Sequence, residues 1–451
     1  MSEGAVKTDK PINAKKALLL LFAVNLLNFF DRQLPGVLGE PIRKEFELTD
    51  SQLGLIGTAF TLVYAAVGLP IGRLADVWVR TRLISIGVTV WSALTAISGF
   101  VTSYGGLVAA RLGVGIGEST CSPACQSLIG DLFPPDKRSR ALGAFMLGLP
   151  FGLCLSYLSA AWLAHEYGWR TCFVLAAVPG FIVALLVLKL PEPPRGGADP
   201  ARATAAPAAG PSAAAEGSPF LRLLRIKTLW WIVISGALHN FNVYAINAFQ
   251  TPFLQRYHSL NLRNAALVSA LVVGLVGAVG LLAGGWASDR LSRRRADGRL
   301  LLAAGTMLAS VPCVFLALAQ PPGSIVPFMI PMALGTTLSF VYYATVYAAI
   351  QDVVAPRLRG SAIAVYFFAM YVMGASMGTY VTGKLSDFLA RRAMAEAGAP
   401  AMTEAFRAVG LHDAMYVIPT LAFFCALVLF AASRTVGADM VVKPIPEKAS
   451  A

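Results

Sequence analysis

Long apolar blocks of roughly twenty residues, parted by short charged segments, constrain this chain more than any other feature. About 20 apolar residues in a helix cover the ~30 Å hydrocarbon layer of a bilayer, so each block reads as a membrane span. The spans fall near 16–36, 52–72, 83–101, 106–128, 141–163 and 170–190, then near 228–249, 265–287, 301–320, 325–348, 360–383 and 412–433. Only 14% of the residues are charged against 56% hydrophobic, whereas soluble domains carry about a quarter charged residues. The runs are also far longer than the ~10-residue alternating strands of a membrane barrel. The expected fold class is an all-α polytopic membrane protein with twelve transmembrane helices.

Between 191 and 225 lies a stretch rich in alanine, proline and glycine, with too little bulky apolar surface to fold alone. It reads as a linker between two six-span domains, 1–190 and 226–451. The two blocks echo each other. Gly72-x-x-x-Asp76 ends the second span with Arg80 and Arg82 following, and Gly285-x-x-x-Asp289 ends the eighth with Arg293 and Arg295 at matching offsets. Arg138-Ser-Arg140 opens the fifth span and Arg357-Leu-Arg359 the eleventh. Such duplication predicts two pseudo-symmetric six-helix bundles rocking about a central cavity. Gly72, Asp76, Arg80, Arg140, Gly285, Asp289, Arg293 and Arg359 are expected to gate its inner end, although exposed charge pairs of this kind can also be solvated loop residues.

The basic residues also assign sides. The first tail holds Lys7, Lys10, Lys15 and Lys16 against Glu3 and Asp9, and the 287–299 segment five arginines against two aspartates. The 37–50 loop is acidic instead, with Glu40, Glu45, Glu47 and Asp50. The positive-inside rule puts both termini and the basic loops in the cytoplasm. The net charge of +13 is dispersed between spans rather than gathered on one face with stacking aromatics, which argues against nucleic acid. The six cysteines sit in or beside apolar stretches and read as buried thiols, and four scattered histidines suggest no metal site.

Charges inside the spans carry the sharpest functional signal. Asp31 and Arg32 interrupt the first span, with Asp31 roughly 22 Å along its helix. Arg111 and Glu118 lie roughly 8 and 18 Å along the fourth, seven residues apart and on nearly one face. Bare charge is costly there, so these groups should border a cavity or each other. Asp31 and Arg111 come out at similar depth and could form an ion pair. A carboxylate alternately screened from water and exposed loads and releases a proton, while arginine stays charged and offers a planar fork to an anion. Asp31 and Glu118 are therefore the expected proton-coupling groups and Arg111 the anion anchor or electrostatic partner. The competing reading is a structural pair between helices, and Arg32 could instead snorkel to the outer interface.

The second block supplies a polar, uncharged wall: His239 and Asn242 in the seventh span, Tyr343 in the tenth, Tyr366 and Tyr371 in the eleventh. An amphipathic molecule fits the asymmetry, its anionic head toward Arg111 and its apolar part against aromatics. No enzyme is expected. Gly113-x-Gly115-x-Gly117 lies inside a membrane helix without the strand and acidic residue of a dinucleotide site, and no P-loop or nucleophile elbow is present. No cofactor or metal is called for, and one chain is expected to suffice.

Gly72-Arg73-Leu74-Ala75-Asp76 with Arg80, and the second-block segment from Gly285 to Arg290, resemble the loop signature of the major facilitator superfamily. Val77, Trp78 and Val79 depart from it where the family often has a basic residue and a glycine. Within that superfamily, Asn28-Phe29-Phe30-Asp31-Arg32, the run from Arg111 to Ser119, Gly130-Asp131-Leu132-Phe133 and Glu192-Pro193-Pro194-Arg195-Gly196 are similar to Spinster-like transporters. The resemblance implies the major facilitator fold, proton-responsive Asp31 and Glu118 with Arg111 in the same cluster, a lysophospholipid or sphingosine-1-phosphate-like substrate moved by symport, and a bacterial inner membrane location. Organic-anion/proton symporters of the same superfamily share the charge pattern and remain open, as does a receptor or scaffold that moves nothing.

Overall fold

A computed structural model describes residues 13–195, 197–198, 223, 225–354 and 358–440. The described chain is helical. In order, α1 covers Ala14–Val37, α2 Gly39–Glu45, α3 Asp50–Val77, α4 Arg80–Ser98, α5 Tyr104–Glu118, α6 Cys121–Leu132, α7 Pro135–Met146, α8 Gly148–Tyr167 and α9 Trp169–Leu188. After the linker, most of which lies outside the described residues, come α10 (Lys227–Arg256), α11 (Leu262–Arg294), α12 (Gly298–Leu318), α13 (Ile325–Val353), α14 (from Arg359 to Glu396), α15 (Glu404–Met415) and α16 (Val417–Asp439). Helices α11 and α14 each contain one wider turn, Ala270–Leu275 and Met370–Ala375, a local device that re-aims the helix beyond it.

Local chemistry fixes several of the starts. The Asn13 side chain accepts from the Lys16 N–H at 3.1 Å. A reciprocal Thr49–Gln52 box opens α3, satisfying donors that a helix leaves unpaired. Many large apolar side chains point outward, with Trp286 70% and Leu282 67% exposed, as a lipid-facing surface demands.

Among the described residues ten helical stretches are long and apolar enough to cross a membrane. Two of the twelve expected spans fall short. The fourth is broken at Ser119–Thr120, between α5 and α6, where both hydroxyls turn back onto carbonyls of the preceding turn, and it carries Arg111, Glu118 and Asp131. The seventh, α10, carries His239, Asn240, Asn242, Asn247 and Gln250. Polarity lowers both because these helices hold the interior side chains.

Helices before and after the linker meet along α3 and α14. At Gly54 a methyl would run into the Thr379 backbone carbonyl, so glycine is what allows the two helices to approach. The Thr58 hydroxyl bonds Thr379 Oγ1 at 2.8 Å and donates to the Ser376 carbonyl at 2.6 Å.

The expected gate residues prove dissimilar. Arg80 is fully buried: Nε donates to Glu192 at 2.7 Å, Nη2 to the Pro193 carbonyl at 3.0 Å, and Nη1 pairs with Asp131. It thus clamps the end of α6 and the first residues of the linker stretch, Glu192 and Pro193, to the start of α4. Asp76, Arg140 and Arg293 are exposed, and Gly72 and Gly285 face open space. Asp289 lies 3.7 Å from Arg299, which also reaches Asp352 at 3.5 Å. Arg299 rather than Arg293 therefore occupies the place of Arg80, because it stands at the start of α12 as Arg80 does at the start of α4. Arg359 opens α14; its side chain and Arg357 lie outside the described residues.

Candidate functional site

Helix α1 carries Asn28, Asp31 and Arg32 within little more than one turn, and α5 carries Arg111 and Glu118 two turns apart. Asp31, Arg111 and Glu118 are at most 1% exposed. Arg32 Nε donates to Glu118 Oε2 at 2.8 Å, and the Asn28 amide donates to the same oxygen at 3.1 Å. The arginine that pairs with Glu118 is thus Arg32. It does not snorkel outward, because Glu118 and an aromatic bed of Phe29, Phe60 and Tyr64 hold it inside; its guanidinium sits 4.2 Å from the Tyr64 ring centre.

Arg111 meets α1 at Asp31 through the backbone: Nη2 donates to the Asp31 carbonyl at 3.3 Å. The Asp31–Arg111 side-chain ion pair expected from their depth is not formed. Arg111 Nε and Nη1, Asp31 Oδ1 and Glu118 Oε1 are buried without a protein partner. Orphaned groups of this kind are costly unless water, a proton or a ligand satisfies them. Four opposed charges balance when all are ionised, so one proton on either carboxylate leaves the cluster net positive and receptive to an anion.

Tyr371 joins this cluster to the C-terminal helices. Its hydroxyl is 3.4 Å from Arg32 Nη1, and its ring stands 5.0 Å from Tyr64 and 6.3 Å from Tyr244. The other expected wall residues sit deeper among their own helices. His239 stacks on Tyr342 at 4.1 Å. Tyr366 donates to the Tyr342 hydroxyl at 3.3 Å, and Tyr343 to Asn240 Oδ1 at 3.2 Å. Asn242 donates to the Ile418 carbonyl at 3.0 Å. His239 and Asn242 line one cavity of ≈ 30 Å³ walled by α10 to α13 and α16, away from the N-terminal charges. Phe60 and Tyr64 were not singled out from sequence, and Asn28 only within the Asn28–Arg32 run; Tyr244 belongs to the polar face read in the seventh span. Asn28 had a signal, standing one helical turn before Arg32 on the same face; Phe60 and Tyr64 had none, since rings in spans usually pack.

A second polar cluster bridges the helices on either side of the linker at the acidic-loop end. Arg256, at the end of α10, donates to Glu40 at 2.7 Å and to both oxygens of Asp50 at 2.8 and 2.9 Å. Arg43 pairs with Glu40 and with Glu404, each at 2.7 Å. Asp387 accepts from the N–H groups of Asp50 and Ser51 at 2.9 and 2.8 Å, using the N-terminus of α3 as an anion site. Burial raises the Glu40 carboxyl, but the hydrogen bond from Arg43 and the charge of Arg256 pull harder and hold it below its usual range. The polar bridges across the linker among described residues run from Arg32–Tyr371 to this end, which leaves that end shut.

The profile of the Major Facilitator Superfamily matches residues 21–379. This chain belongs to that superfamily and is a transporter, not an enzyme. An MFS-type efflux pump of Mycolicibacterium smegmatis is 32% identical over 86% of this chain and 89% of its own length. The sphingosine-1-phosphate transporter SPNS2 of Xenopus tropicalis is 28% identical over 86% and 78%. The crystal structure of a bacterial homologue of the human lysosomal transporter Spinster, inward-facing and unoccupied, superposes with a TM-score of 0.84 at 27% identity, covering 96% of this chain and all of that one. Within the superfamily the chain is closely related to the Spinster transporters.

Proposed function

We propose that this protein is a proton-coupled secondary transporter of an amphipathic anionic lipid, of the lysophospholipid or sphingosine-1-phosphate-like kind, working by alternating access. The observation that carries the reading is the buried cluster of Asp31, Arg32, Arg111 and Glu118, with one oxygen of each carboxylate unpartnered and Arg32 touching Tyr371 across the linker. A proton on Asp31 or Glu118 frees arginine charge, and Arg111 has two N–H groups turned to no protein acceptor. The anionic head would bind there and the apolar part along Phe60, Tyr64, Tyr244 and Tyr371.

In this reading α5–α6 and α10 also cross the bilayer, giving twelve spans in two six-helix bundles, 1–190 and 226–451, joined by a cytoplasmic linker. The pairing of Arg80 with Asp131 and of Arg299 with Asp352 supports the duplication, and the basic loops support cytoplasmic termini in a bacterial inner membrane. The end closed by Arg256 is then the outer face. Relatedness to a named sphingosine-1-phosphate transporter supports a lipid.

Proteoliposomes holding the purified chain test the reading with labelled lysophospholipid, under imposed and collapsed proton gradients. Gradient-dependent uptake lost in Glu118→Gln is expected. Uptake of small organic anions but not lysolipid would assign the site to the other symporter group. Uptake of neither would leave a receptor or scaffold.

A further inference from the structure

A cavity of ≈ 490 Å³ opens on the outer side of the N-terminal helices, away from the charge cluster. Its walls are α1 from Leu19 to Leu34, α8 from Leu155 to Leu163 and α9 from Cys172 to Val183. Two lining residues could offer a polar group, and both are engaged: the Ser159 hydroxyl donates to the Leu155 carbonyl at 2.6 Å, and the Cys172 thiol to the Ala160 carbonyl at 3.4 Å. The furrow can therefore bind only apolar matter. From Leu19 to Leu34 it runs about 22 Å along α1, over half of the ~30 Å hydrocarbon layer, which is the reach of one extended acyl chain from one leaflet.

The mouth near Leu19 has a charge of its own. Helices α1 and α9 run antiparallel, so the start of α1 lies level with the end of α9. Lys15 and Lys16 stand about one turn before Leu19, and Lys189 caps α9 about two turns beyond Val183. All three are exposed and have no ion partner among the described residues. The N-terminus of α1, where Asn13 already takes the Lys16 N–H, adds its positive dipole end. Three ammonium groups and a helix start above an apolar furrow match a phosphate joined to a long hydrocarbon tail.

We propose that this furrow is a binding site for one anionic phospholipid of the leaflet on the Lys15 side, its phosphate on Lys15, Lys16 and Lys189 and one acyl chain between α1, α8 and α9. Phe30 and Leu34 of the furrow wall flank Asp31 and Arg32 on the same helix. The lipid thus buttresses the helix that carries half of the buried charge cluster, without entering the cluster.

The test uses the full purified chain in detergent, with phosphatidylglycerol or phosphatidylcholine of identical acyl chains added. Phosphatidylglycerol is expected to raise the unfolding midpoint more than phosphatidylcholine. Lys15→Gln/Lys16→Gln/Lys189→Gln should erase that difference while keeping the response to phosphatidylcholine. Equal shifts in the wild type, or a difference surviving the triple variant, would overturn the headgroup assignment. A phosphatidylglycerol with a photoreactive group at its chain end should label peptides spanning 19–34 or 155–183, and Ala23→Phe, which fills the furrow, should lose most of that label. Label spread evenly over the outer faces overturns the site, and this wild-type map decides the matter if Ala23→Phe does not fold. Displacement of the label by excess lysophospholipid would place the furrow on the substrate's path and overturn the resident-lipid reading, whatever the transport assays return.

Discussion

Arg32 of α1 and Glu118 of α5 are joined by a 2.8 Å ion pair with 8% and 0% of their side chains exposed. Taking two charges out of water is costly, so the pair adds little net stability, yet removing one partner strands the other. Arg32→Ala should destabilise the folded protein by about 3–5 kcal/mol. Arg32→Ala/Glu118→Gln should lose less than the two single changes summed. Thermal unfolding of detergent-purified protein measures both, and strict additivity would show that the pair does not act as a unit. Glu118→Gln alone should keep substrate exchange across the membrane while losing its dependence on the proton gradient.

Arg111 holds Asp31 by its backbone and keeps two N–H-bearing nitrogens without a protein partner. Arg111→Ala should therefore weaken lysolipid binding by far more than it lowers the unfolding midpoint. Arg111→Lys should rescue binding poorly, because a point charge cannot reproduce the guanidinium fork. Binding by tryptophan fluorescence, read beside the melting curve, separates these effects; equal losses in both would make the residue structural.

On the proposed sidedness, the cluster around Arg256 must part whenever the outer face opens. Arg256→Ala leaves Asp50, 2% exposed, without its arginine and Glu40 with Arg43 alone, and should shift the protein toward an outward-open form. Arg43→Ala should do less, since buried Glu40 keeps Arg256 and the other partner, Glu404, is 59% exposed, where pairs contribute little. A cysteine at Thr379, buried against Thr58, reports the change. An impermeant thiol reagent added outside should label it faster in Arg256→Ala than in the parent, and no difference would remove the latch role.

Gly54→Val should act on the same motion by bulk rather than charge. The added side chain cannot share space with the Thr379 carbonyl, so α3 and α14 stay apart at the outer end. Transport should fall strongly while expression and helical content hold, and the Thr379 cysteine should again label quickly. Normal transport by this variant would mean that α3 and α14 need not close so tightly.

Beyond the end of α10, His258 accepts from the Gly323 N–H through Nδ1 at 3.2 Å, packed against Phe253, Tyr257 and Phe328. Burial, with His412 beside it, pushes its imidazole down from 6.5 to about 4. An unfolded chain takes up this proton first, so the stability that neutral His258 contributes is full above pH 6.5 and lost as pH falls toward 4. His258→Asn, which keeps an acceptor without a titration, should flatten the fall in melting temperature over that window; an unchanged slope would assign the fall to other groups.

The segments that become helices were legible because hydrocarbon admits few solutions: a backbone in lipid must satisfy its own hydrogen bonds, so length and apolarity announce each crossing. The same reasoning exposed Asp31, Arg32, Arg111 and Glu118, since a charge in such a run is expensive enough to be conspicuous. It was weakest for α5–α6 and α10, where interior side chains dilute the apolar signal. It was weaker still for the loop residues, because matching offsets suggested Arg293 where helix geometry brings Arg299.

Sequence alone thus determined that this chain is a bundle of membrane helices with opposed charges inside it, because both follow from the cost of moving single groups out of water. Tertiary structure alone decided who meets whom: Arg32 with Glu118, Arg256 with Glu40 and Asp50, Arg80 with Asp131 and Glu192, and Tyr371 with Arg32 from the far side of the linker. Pairing depends on the rotation and tilt of each helix, set by many small packing contacts at glycines such as Gly54. Those contacts are summed over residues distant in the chain, so no local stretch of sequence contains them.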